Sequence, residues 1–167
     1  LCWGVTQRGV LAPRAREYHN RIGEGIERLK RANLRPCHEE LSRHYEAGGL
    51  LRRAAFFAEQ AGITHGRQYY NREALRCFRR AIELLDAAQI PEAESREGWA
   101  HLADLYLRIG EIQARDLQYQ DADRAFTRAL DYAGEAEDER LQASALIKVA
   151  EARIELGTVD TGGQLIQ

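Results

Sequence analysis

Apolar residues and alanines recur at i, i+3, i+4 and i+7 along nearly the whole chain, and no stretch alternates in the two-residue rhythm of a half-buried strand. The pattern predicts helices throughout. Each of the three prolines falls where a helix can begin, because the first helical N–H has no intrahelical partner to lose. Pro13 is expected to open a helix running to about Ala32, and Pro36 one running to about Ala47, which Gly48 and Gly49 stop. Leu50 to Ala61 follows, ended by Gly62. A longer helix is expected from about Gly66 to Ala88, with Tyr69, Tyr70, Ala74, Leu75, Phe78, Ala81, Ile82 and Leu85 on its apolar stripe. Pro91 starts the next, with Glu92 and Glu94 in a first turn where the helix dipole favours acids. Its stripe is Trp99, Leu102, Ala103, Tyr106, Ile109 and Gly110, and it ends near Arg115. Asp121 to Ala133 and Asp138 to Leu156 follow. Gly157 is expected to end the last of these, and the final residues to begin an eighth helix.

Gly and Pro punctuation at intervals of about 15–25 residues suits stacked antiparallel helix pairs with short connections. Small residues at helix-face positions, such as Ala54, Ala58, Ala61, Ala122, Ala125 and Ala129, allow neighbouring helices to approach closely. A pattern recurs among them: Ala54-Ala58-Ala61, Ala74-Phe78-Ala81 and Ala122-Phe126-Ala129, with a degraded Gly162-Ile166. Helices carrying Leu or Tyr, a small residue and then a Gly turn lie upstream, as in Leu41-Ser42-Tyr45-Gly49 and Tyr106-Ile109-Gly110. The leading small residues are separated by steps of 20, 48 and 40 residues, so the array is irregular.

This recurrence resembles the tetratricopeptide repeat, a helix–turn–helix unit of about 34 residues. The best single copy runs from Asp104 to Gly134, although Gln113 stands where the motif has an aromatic and Gly134 where it has Pro. The wider layout resembles the helical segment of bacterial signal-transduction ATPases, some joined to adenylyl cyclase or LuxR-type domains. The residues that carry this likeness are His19 to Glu27, Glu40 to Gly49 and Asn71 to Leu85, in that order. The resemblance implies an all-α superhelix of about seven to eight helices, with residues 1–35 following a lost upstream module and 36–167 forming repeats, the last truncated. It also implies a non-catalytic arm of a cytoplasmic bacterial regulator that binds proteins or small effectors. Partners would bind a groove lined by the first helix of each pair, with Glu39, Arg43, Asp104, Arg108, Glu111, Arg115, Lys148, Glu151 and Glu155 facing outward. Their mixed signs argue against a basic clamp for a terminal carboxylate.

Length and composition bound the alternatives. A chain of 167 residues is one domain's worth, long enough to bury a real core. Three cysteines at wide spacing indicate no disulfide framework, and no apolar run is long enough to span a membrane. The start at Leu1 does not read as a signal peptide, and the absence of any Met suggests a piece of a longer protein. Truncation within a pair would leave an apolar C-terminal end prone to self-association.

The net charge of −2 hides an asymmetry: residues 1–85 carry 16 basic and 9 acidic groups, the remainder 8 basic and 17 acidic. Oppositely charged solvated faces explain it. The alternative is nucleic-acid binding through Arg72, Arg76, Arg79 and Arg80, but Glu73 and Glu83 interrupt that face. Catalytic chemistry finds little footing. No Gly-rich loop ending in Lys-Ser/Thr is present to cradle phosphate. Cys37, His38 and His44 lack a second ligand pair for zinc. Cys77, near His65 or His101 only if the fold brings them together, sits in an apolar helix where an inert thiol is the usual case. No cofactor and no enzymatic activity are expected of this chain.

Overall fold

A computed structural model describes the backbone of residues 3–88 and 95–164 and the side chains of 13–88 and 95–157. Among these residues the protein is all-α: seven α-helices, one 3-10 turn at Arg35–Cys37 and no strand. The helices are α1 (Trp3–Leu29), α2 (His38–Ala47), α3 (Leu51–Arg67), α4 (Asn71–Ala87), α5 (Arg96–Arg115), α6 (Tyr119–Glu135) and α7 (Glu139–Gln164). None is long and apolar enough to cross a membrane.

The chain divides into two compact units, Leu1–Ala88 and Gln89–Gln167. In the first unit α1 packs on α2, α2 on α3 and α3 on α4; in the second α5 packs on α6 and α6 on α7. Within each unit short turns join successive helices, which makes each such pair antiparallel. The first unit's core holds Leu41, Tyr45, Ala54, Phe57, Ala58, Ala81 and Leu84. The second unit's core holds Leu107, Ala122, Phe126, Ala129, Ala145, Val149 and Ala152.

Several boundaries differ from the sequence reading, each for a physical reason. Gly62 does not end α3, which runs on to Arg67. Its missing side chain makes room for a neighbour, since a Cβ there would lie 2.8 Å from the ring of Phe78. Gly110 does the same for Phe126, where the contact would be 2.4 Å. The two hairpins thus share one internal arrangement: Gly62, Ala74, Phe78 and Ala81 in α3–α4 match Gly110, Ala122, Phe126 and Ala129 in α5–α6, each 48 residues on.

Pro13 lies inside α1 and not at its start. Its fixed φ is itself helical, so the helix runs through at the expense of one backbone bond. Pro91 lies outside the described residues, and α5 begins instead at Arg96. Ser95 holds that start in extended backbone, its hydroxyl accepting from the Gly98 N–H at 3.1 Å. α7 begins at the expected place, where the Asp138 carboxylate accepts from the Leu141 N–H at 3.0 Å. The helix then passes through Gly157 to Gln164, so no eighth helix starts in the described residues. A lone glycine weakens a helix by about 1 kcal/mol without imposing a left-handed turn.

Tyr69 and Tyr70 leave the apolar stripe assigned to them. They sit in the α3–α4 turn, 76% and 56% exposed, with Tyr69 at φ 61°. That turn is one of four alike. The N–H of Leu50, Tyr70, Gln118 and Asp138 each bonds the carbonyl five residues back, after a left-handed Gly49, Tyr69, Leu117 or Glu137. This is the Schellman closure that satisfies the last carbonyls of a helix.

Candidate binding groove

In the second unit, α5, α6 and α7 enclose a groove of about 570 Å³. Its floor follows from the hairpin just described. Phe126 lies against Gly110, and the small side chains of Ala114 and Ala152 keep the trough open above it. Tyr119 also lines it, and Glu111, Arg115, Lys148, Glu151 and Glu155 supply its charged residues. The Lys148 ammonium donates to Glu151 at 2.9 Å, one turn along α7. The rim carries three carboxylates against two cations. An apolar floor ringed by mixed charge with an acidic excess suits a segment with an apolar anchor and basic flanks.

Five of the nine residues expected to face a groove therefore line this one: Glu111, Arg115, Lys148, Glu151 and Glu155. Asp104 and Arg108 instead pair along α5, the guanidinium donating at 2.6 Å. Glu39 and Arg43 belong to the first unit, where they border a smaller groove of about 380 Å³ beside Cys77, Arg79 and Glu83 of α4. Tyr119 and Phe126 were absent from the expected groove residues. The signal was present in the spacing, because a Phe sixteen residues after a helical Gly marks where the ring closes over the backbone.

Charges on this smaller groove, one of two among the described residues of the first unit, are largely matched to one another. Arg76 donates to Glu39 at 2.6 Å, and Arg80 bridges Glu46 and Glu83. Two of the four arginines proposed for a nucleic-acid face thus hold carboxylates of their own chain. The Arg76 guanidinium is the main cause that holds the Glu39 carboxyl below the usual carboxylate range. The other oxygen of Glu39 meets His65 Nε2 at 2.7 Å. Cys77 is buried, and that burial pushes its thiol up to about 11, so it is a neutral thiol near pH 7. His101 lies in the other unit, so His65 is the histidine brought beside Cys77. The Cys37–His38–His44 group disperses. His38 packs against Phe57, and His44 meets His19, their Nδ1 atoms 3.0 Å apart.

The aromatic side chains divide by position. Tyr45 and Phe126 are buried, and Trp99, Tyr132 and Tyr106 stack in sequence at ring separations of 5.6 and 5.5 Å. Arg128 donates to the Tyr106 hydroxyl at 3.0 Å and caps that stack. No family model, no curated protein and no solved structure matches this chain.

Proposed function

We propose that this chain is a non-catalytic interaction module, and that the groove between α5, α6 and α7 takes a segment of a partner protein. The observation that supports it is the trough itself, with Phe126, Ala114 and Ala152 below and five charged residues above. The preferred ligand is a peptide with one apolar anchor for the floor and a basic residue for Glu111. The resemblance to regulator arms fits this reading and suggests a scaffold or effector-sensing segment of a larger cytoplasmic bacterial signalling protein.

The test is selection from a displayed peptide library on the intact chain, followed by titration of the selected peptides. Glu111→Arg and Ala114→Arg should each weaken binding at least about tenfold, which is about 1.4 kcal/mol. Arg14→Glu, on an exposed face of α1, should leave it unchanged. Selected peptides that bind Glu111→Arg and Ala114→Arg as tightly as the wild type would refute the assignment.

A further inference from the structure

Three helices of the first unit each bring one metal-ligating side chain to a common point. Glu39 comes from the first turn of α2, His65 from the last turn of α3 and Cys77 from the middle of α4. Their donor atoms all lie within 4.8 Å of one another. These residues are 26 and 12 positions apart in sequence, so the folded hairpin, and no local motif, assembles them. The donors are a carboxylate oxygen, an imidazole nitrogen and a sulfur. That mixture suits a borderline-soft divalent ion and excludes the all-oxygen preference of Mg²⁺ and Ca²⁺.

We propose that Glu39, His65 and Cys77 form a Zn²⁺ site that ties α2, α3 and α4 together, with water in the fourth position. Tetrahedral zinc with bonds of about 2.0–2.3 Å places its ligand atoms about 3.3–3.8 Å apart. The present donors lie within 4.8 Å of one another, so closing to that geometry takes shifts on the order of 1 Å. The hydrogen bond between His65 and Glu39 opens, and Cys77 moves inward.

The surroundings are arranged as an outer shell. Arg76 holds the second oxygen of Glu39 at 2.6 Å, fixing the carboxylate while its first oxygen faces the cluster. The imidazole of His65 is tied to no backbone carbonyl: Nε2 meets Glu39, and the buried Nδ1 has no hydrogen-bond partner. Zinc at Nε2 takes the place of the proton shared with Glu39. An entry path exists, because Cys77 and Glu39 both border the groove of about 380 Å³. Cys77 binds as the thiolate, and its proton passes to water.

The intact chain, stripped with a chelator, is titrated with Zn²⁺ by calorimetry and with Co²⁺ as a spectroscopic probe. The site predicts one equivalent of Zn²⁺, a thiolate-to-Co²⁺ absorption band and a rise in the thermal midpoint on adding Zn²⁺. Cys77→Ala should abolish the band, and Glu39→Gln should lower Zn²⁺ affinity at least about tenfold. Circular dichroism establishes that each variant is folded. If Cys77→Ala does not fold, the half-exposed Glu39→Gln decides the matter. A wild type that takes up no zinc overturns the proposal. So does a folded variant that binds it as the wild type does, because the metal would then sit on other donors such as His19 and His44.

Discussion

Tyr45 shows how much one side chain does in the first unit. It is fully buried, stacks on Phe57 at 5.6 Å, and donates its hydroxyl to the Glu27 carboxylate. Arg53 lies over its ring at 4.4 Å and also reaches Glu27 at 2.9 Å. This phenol fastens α1 to the core, together with the Asn20 amide, which donates to the Gly48 carbonyl at 3.2 Å. Burial first, and Glu27 second, push that phenol above its ordinary value. An unfolded tyrosine ionises near pH ~10 while the folded one keeps its proton, so the stability it contributes is intact below that pH and falls as pH rises beyond it. Tyr45→Phe should cost about 1.5 kcal/mol at neutral pH, a lost bond to a charged acceptor. It should also flatten the decline between pH 10 and 11 relative to wild type, measured by urea unfolding at each pH. Parallel declines in the two proteins would show that Tyr45 does not carry the effect. Glycines make the complementary point. Gly110→Ala pushes a methyl into Phe126 and should cost about 1–3 kcal/mol. Gly25→Ala has nothing within 4 Å and should gain up to about 1 kcal/mol by helix propensity. Equal thermal shifts for the two would contradict the close-approach account.

At the scale of elements, helices were legible in the sequence because their amphipathic period is written in side chains, whereas their ends were not. Three of the four Schellman turns place Tyr69, Leu117 and Glu137 in left-handed backbone, and none of these residues announces such a turn. Gly62 and Gly157, which do look like stop signals, are interior. The turns form because the facing helices must pack, and tertiary contact overrides local preference. Leu117 is 72% exposed and gains little from burial, so its left-handed φ of 59° is mostly strain. Leu117→Gly should raise stability by about 0.5–1 kcal/mol, the relief of left-handed strain less the entropy glycine loses. Gly49→Ala, at φ 79°, should lower it by about 1 kcal/mol. Thermal unfolding of both variants checks the pair, and a destabilised Leu117→Gly would show that this side chain does more than its exposure implies. The Glu39–His65–Cys77 cluster was hidden for a related reason. Its members come from three helices, and only the packing of α2, α3 and α4 puts their donor atoms within reach.

For the whole molecule, each compact unit buries its helices against their neighbours and leaves a trough between them. The rim of the second groove was legible because α5 and α7 repeat charged residues at helical spacing, as at Glu111 and Arg115 or Lys148, Glu151 and Glu155. Its floor was harder to read, since Phe126 counts as plain core until Gly110 is seen beneath it. Mapping amide chemical shifts of the labelled chain during titration with a library-selected peptide tests the interaction reading most directly. The account predicts saturable shifts at residues 111–119, 126 and 148–155, with the first unit unperturbed. Shifts confined to residues 13–88, or scattered across both units without saturating, would contradict it.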